Sequence, residues 1–279
     1  MKMQVAADLL NQLELRSRAT GECLDDLVNH LLRLGLAKER DRRALYVSAP
    51  VNALIEGIYQ EDTRISDILE HGDFGLGTFN DLDGEMVVLE GQVHQLRADG
   101  QAYPVSADAK TPYACVNFFT PDSDEVIEQS LDFTELTHLL ERMIPSDNMI
   151  YALRIDGDFE RIKTRSVPRQ DSYRPLVEVA REQPEFEYRD IRGTMTGYWT
   201  PSFMGALTVP GYHLHFLSED RQRGGHLLGC QTRRIRIAIQ HLPRLEVGLP
   251  VSLDYLTATF TRDLSADLEE AEQDRESVV

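Results

Sequence analysis

The 279-residue chain has little cysteine, only Cys23, Cys115 and Cys230, odd in number and far apart. That excludes a disulfide framework, and the absence of any CxxC pair excludes Cys-rich zinc sites. Basic residues are also short, 29 against 47 acidic, for a net charge of -18. Such a surface repels phosphates over much of its area, so bulk nucleic-acid binding is not expected. No apolar run reaches membrane-spanning length, and Met1-Lys2-Met3-Gln4-Val5-Ala6-Ala7-Asp8 turns polar before a signal-peptide core can form. No membrane contact and a cytoplasmic location are therefore the default expectations. Fixed-period repeats and low-complexity segments are missing too. What remains is a chain with 42% hydrophobic residues and 12 prolines, enough for one large core or two modest ones.

Residues 1–43 form a first predicted unit. Leu9, Leu10, Leu13, Leu15 and then Leu24, Leu27, Leu31, Leu32 recur at helical spacing on either side of Thr20-Gly21. The pattern resembles a ribbon-helix-helix module with its strand at Gln4 to Asp8, but that strand lacks the polar and basic residues with which such modules read DNA. A plain helical or dimerising extension is the expectation, ending in the charged linker Lys38 to Arg43. From residue 44 to 279 the text changes to short alternating runs broken by Gly, Asp and Pro. Helices are predicted near Ser66 to His71 and over Phe133 to Met143, and hairpin turns at Asp83-Gly84 and Asp156-Gly157. The expected class is α+β, an α/β two-sheet arrangement of mixed or antiparallel sheets with few helices, plus the short N-terminal helical extension.

The most informative stretch is Gly211-Tyr212-His213-Leu214-His215-Phe216-Leu217, followed by a polar turn and Gly224-Gly225-His226. Strand side chains alternate between faces, so His213 and His215 share one side while Leu214 and Phe216 take the other. Residues 218–225 are long enough to reverse direction and to set His226 opposite the pair. Three imidazoles with an open fourth position suit a catalytic zinc, whereas a lone HxH is ordinarily a wet strand face. Spacing alone leaves both readings open.

Two more segments matter once a metal is supposed. Glu85, leaving the turn at Asp83-Gly84, shares its strand face with Val87 and Leu89, and a carboxylate on an apolar face needs a partner. Alternation also puts Arg161, Lys163 and Arg165 on one face, as a solvated basic strand or as an anion site.

The runs Ala53 to Tyr59, His71-Gly72-Asp73-Phe74-Gly75-Leu76-Gly77-Thr78-Phe79, Leu82-Asp83-Gly84-Glu85-Met86 and the two histidine segments stand in one order and spacing. Together they resemble the alpha-acetolactate decarboxylase family, from about Leu45 to about Glu276. The resemblance implies a carboxy-lyase of two linked sheets, commonly a homodimer, that converts 2-acetolactate to acetoin and carbon dioxide. It implies zinc held by His213, His215 and His226, with Glu85, Arg165 and Glu272 completing the site. Residues 1–42 depart from the family pattern, as does His94, where members often carry Tyr.

The implied chemistry has a clear electronic demand. Loss of carbon dioxide from a 2-hydroxy-3-oxo acid leaves an electron pair that must rest on the neighbouring carbonyl as an enediolate, and a Lewis acid there lowers the barrier. Arg165 would fork onto the carboxylate, and it or a glutamic acid would lie near the carbon that is later protonated. Two rival readings stand beside this one. His213, His215 and Glu219 also satisfy the HxHxxxE pattern of cupin metal sites, and a small-molecule-sensing regulator carrying an N-terminal ribbon-helix-helix module represents a different class.

Overall fold

The computed structural model describes residues 6–21, 23–29, 31–32, 43–172, 174–261, 264 and 266–268. By its internal contacts the chain divides into two compact units, Met1–Arg43 and Ala44–Val279. In the first, a helix spans Ala7–Thr20 and stops at Gly21, whose φ of 72 only glycine adopts freely and whose N–H returns to Ser17 O. Helix resumes over residues 24–29 and 31–32. Of the strand expected over residues 4–8, residues 4 and 5 lie outside the described residues, and Ala7 and Asp8 already belong to the helix. The run of leucines at helical spacing starts at Leu9, and the helix extends back from it by two residues through an alanine of high helix propensity.

The second unit is built on two sheets. The first contains β1 (Ala44–Val47), β2 (Phe74–Thr78), β3 (Glu85–Leu89), β4 (Gln92–Leu96), β5 (Ala102–Pro104), β6 (Ala114–Asn117) and β12 (Arg244–Val247), in the order β12-β1-β6-β2-β3-β4-β5. Only β1 and β12 run parallel, so the sheet is mixed. The second contains β7 (Ser123–Ile127), β8 (Ile150–Arg165), β9 (Glu185–Thr200), β10 (Gly211–Ser218) and β11 (Gly224–Leu242), in the order β10-β9-β8-β11-β7. An added pairing of β10 with β11 closes this sheet on itself. Mixed sheets with few helices agree with the class expected from the sequence.

Strand alternation sorts the side chains into three cores. Val87 and Leu89 of β3 face the core between the sheets with Leu76, Ala152 and Tyr198, while Met86 and Val88 turn to a smaller core roofed by Ile65 and Ile68. Leu214 and Phe216 enter the third core, where Leu136 and Leu140 of the helix Phe133–Met143 pack. That helix begins where the sequence places it because Asp132 and Glu135 form a capping box, each side chain accepting from the other residue's backbone N–H. The helix expected near Ser66 to His71 runs over Ile65–Leu69.

A buried polar chain ties the sheets together. Tyr198 of β9 donates to Asn117 Oδ1 at the end of β6, and Asn117 Nδ2 donates to Gln240 Oε1 of β11, both at 2.9 Å. Such a satisfied network fixes one sheet relative to the other.

One expected turn is absent. Asp156 and Gly157 lie inside β8, paired with Thr194 and Gly193 on one side and with Arg236 and Ile235 on the other. Ladder partners on both edges override the local turn preference of Asp-Gly. The glycine answers a close approach instead, since a Cβ there would stand 2.3 Å from Arg234 O. Asp83-Gly84 does lie in the reversal between β2 and β3, although that loop runs from Phe79 to Gly84 and includes a 3-10 turn at Asn80–Leu82.

Candidate metal centre

The sequence Gly211 to Ser218 makes β10, and its alternation sends Leu214 and Phe216 into the apolar core and the two histidines toward the first sheet. The chain reverses at residues 219–223 and returns as β11, with His226 directly opposite His215. His226 also pairs with Arg165 at the end of β8, so one residue joins both neighbours. Gly225 permits this convergence: a Cβ there would stand 2.5 Å from Arg165 O. A bulge follows between Leu227 and Gly229 and re-aims the rest of the strand.

The three imidazoles come together. Their ligand atoms lie within 4.8 Å of one another, the ring centroids are 5.1 to 5.4 Å apart, and all three residues are buried. Burial holds His213 and His215 in their neutral form. His213 is pushed down to about 3 by desolvation, aided by the Arg165 guanidinium. His215 is held well below the usual histidine range by burial first and by His213 second.

His215 shows its protonation state through its partners. Its Nδ1 lies 2.8 Å from Met86 O. A carbonyl only accepts, so Nδ1 carries the proton and Nε2 presents a lone pair. That Nε2 is buried without a hydrogen-bond partner. Glu85 Oε2 stands 3.7 Å away, too far for a hydrogen bond, while Glu85 Oε1 accepts weakly from Val167 N–H at 3.4 Å. An orphaned, neutral nitrogen beside two more imidazoles fits a metal ion: a Lewis acid satisfies the lone pair, and a backbone carbonyl behind the ring fixes the ligand tautomer. The donor set of three nitrogens suits zinc.

A cavity of about 50 Å³ adjoins this group, with Thr78, Glu85, Arg165, Gln183, His213 and His226 among its walls. Of the basic residues on one face of β8, only Arg165 reaches it. Arg161 and Lys163 are more exposed and stand 3.8 Å from Glu187 and 3.2 Å from Glu185, whereas Arg165 is 6% exposed. Glu219, the further ligand required by the cupin alternative, is exposed and 3.3 Å from Arg192. It follows the end of β10, where the chain has turned out to solvent, so that pattern is a coincidence of spacing. Glu272 falls outside the described residues, although Leu264 and Leu268, which precede it in the chain, are buried in the core between the sheets.

Sequence reasoning missed three participants. Met86 acts through its carbonyl, which no side-chain pattern reveals. Tyr198, opposite His213 in the β9–β10 ladder, donates to Asn117 Oδ1 and so ties that ladder to the first sheet. Gln183 sits in an irregular segment with no periodicity to read; the Pro184 that follows was its only local signal.

Comparison with known proteins agrees with this geometry. The family model for alpha-acetolactate decarboxylase matches residues 45–262. The alpha-acetolactate decarboxylase of Bacillus licheniformis is 39% identical over 230 residues, covering 82% of this chain and 91% of that protein. That of Methylococcus capsulatus is 41% identical over 229 residues, covering 82% and 88%. The crystal structure of alpha-acetolactate decarboxylase from Bacillus subtilis strain 168 superposes with a TM-score of 0.80 at 36% identity, over 83% of this chain and all of the other. With fold, order of motifs and most of its length in common, the chain belongs to the alpha-acetolactate decarboxylase family.

Proposed function

We propose that the chain decarboxylates 2-acetolactate to acetoin and carbon dioxide at a zinc ion held by His213, His215 and His226. The observation that carries this reading is the orphaned Nε2 of His215, buried beside two further imidazoles and locked by Met86 O into the tautomer a ligand needs. A zinc ion bound there supplies Lewis acidity toward the substrate's hydroxyl and keto oxygens.

The protein's own groups do the rest. Arg165, held in the cavity wall by its pairing with His226, forks onto the carboxylate and fixes the bond to be broken. The apolar wall, including Val51, Leu54 and Val209, gives a water-poor surround that favours release of uncharged carbon dioxide and protects the enediolate. Glu85, beside His215 and on the same wall, is placed near the carbon that must take up a proton to give the product. Glu272 completes the proposed set from the tail, and a homodimer is the proposed assembly. Residues 1–43 are proposed as an extension that chemistry does not require.

The test combines elemental analysis with acetoin formation from racemic acetolactate. About one zinc per chain and turnover that stops on chelation are expected. Full activity in metal-free protein would end this reading.

A further inference from the structure

Gln183 lines the same cavity as Arg165, His213 and His226, and its Oε1 is buried without a hydrogen-bond partner. The orphan is not a product of a loose loop. Glu182 N–H donates to Val179 O at 3.1 Å on one side, and on the other Ser166 N–H donates to Pro184 O at 3.3 Å. Beyond that, Glu185 enters the ladder opposite Arg165. Pro184 restricts the backbone of the residue before it, so Gln183 is presented from a fixed frame. A buried acceptor with no donor costs stability, and proteins retain such groups where a ligand supplies the missing partner.

The substrate class named above carries polar groups of unequal kind. Its carboxylate and its keto oxygen only accept hydrogen bonds; its tertiary hydroxyl is the sole donor. An acceptor in want of a donor therefore has one complement on that molecule. We propose that Gln183 is a substrate-contact residue whose Oε1 accepts the hydrogen bond of the 2-hydroxyl group of a 2-hydroxy-3-oxo acid seated in the cavity. This rests on the decarboxylase reading. A site that pairs with a hydroxyl discriminates against analogues lacking it, because the protein group is then left unpaired. Gln183 thus selects 2-hydroxy acids over plain branched carboxylic acids of similar size, while Arg165 serves the carboxylate common to both.

The experiment compares 2-hydroxyisobutyrate with isobutyrate as ligands of the zinc-loaded protein by calorimetry, for wild type and for Gln183→Met, with Gln183→Leu as a second variant should the first fold poorly. Wild type is expected to prefer the hydroxy acid. The substitution should weaken that ligand about tenfold, the loss of one hydrogen bond to a polarised donor, and leave isobutyrate within about twofold. Zinc content should not change, kcat/KM on acetolactate should fall about tenfold, and the melting temperature should hold or rise by about 2 °C because an unsatisfied buried oxygen has gone.

Equal weakening of both acids, or of neither, would overturn the hydroxyl contact. A fall in melting temperature with unchanged ligand preference would make Gln183 a structural residue. Wild type that shows the hydroxyl preference but forms no acetoin would overturn the decarboxylase reading and leave the contact standing.

Discussion

Strands β8, β10 and β11 each contribute to two polar clusters of opposite character. At one place they bring together Arg165, His213, His215 and His226, all buried and with His213 and His215 neutral. At another they and their connections gather Arg154, Asp156, Glu219 and Arg236, joined by Arg192 of β9 and Glu90 beyond β3, in exposed or half-exposed ion pairs. Every charge in the second cluster has a protein partner and water nearby. In the first, a nitrogen is left with neither. Exposed pairs of this kind are worth little because solvent screens them, whereas a buried orphan is costly enough to demand an occupant. An unsatisfied nitrogen among clustered buried imidazoles, more than density of charge, marks the proposed metal site.

The contrast can be broken most severely at His215. Replacing it by Ala should lower turnover by on the order of 10³-fold or more and reduce zinc occupancy in the same samples, since one ligand and its carbonyl brace go together. Turnover near the wild-type level with zinc retained would erase the distinction between the clusters.

A finer test lies on β8, where Arg165 and Arg161 share a face. Arg165→Lys keeps the charge but loses the planar fork, and kcat should fall about 10- to 100-fold; Arg161→Lys should stay within about twofold. Equal damage from both would recast the strand as a diffuse basic surface.

Acid should separate the clusters as well. His213 and His215 titrate lower in the folded chain than in the unfolded one, where the ordinary value is 6.5. Below 6.5 the unfolded state thus binds more protons, and stability falls as pH drops from 6.5 toward 3. For His213 alone the full shift corresponds to roughly 5 kcal/mol as an upper bound. Chemical denaturation of zinc-free protein at several pH values checks this. His213→Gln should flatten the slope between pH 6 and 4, and an unchanged slope would refute the burial argument.

The smallest effect is expected at the exposed cluster. Glu219→Gln should change stability by no more than about 0.5 kcal/mol and leave zinc content alone. A large loss of metal would bring back the cupin-like ligand set.

Much of this site is legible in the sequence, because alternation in a strand is a rigid rule. His213 and His215 had to share a face, the reversal before His226 had room to set it opposite, and Glu85 had to accompany Val87 and Leu89. The buried place of Arg165 was less legible, since the same rule groups it with Arg161 and Lys163, and only the convergence of three strands at the end of β8 separates them. Asp156-Gly157 misled for a related reason. A dipeptide signals a turn through its own torsions, but two flanking strands supply hydrogen bonds that outweigh it. The brace from Met86 O and the orphan at Gln183 arise from tertiary placement alone, and neither residue's side chain advertises it.

Closure of the second sheet through the β10–β11 pairing has a consequence for the protein in crowded solution. A sheet that rejoins itself offers few free rows of backbone N–H and C=O to another chain, and here the outer margin falls to β7, Ser123–Ile127. That strand is short and largely exposed, with Asp124 paired to Arg236 of the neighbouring strand and Glu125 on the opposite face. The exposed Glu125 carboxylate on this brief margin would meet its own image on a second molecule, so strand-to-strand sticking along this edge is disfavoured.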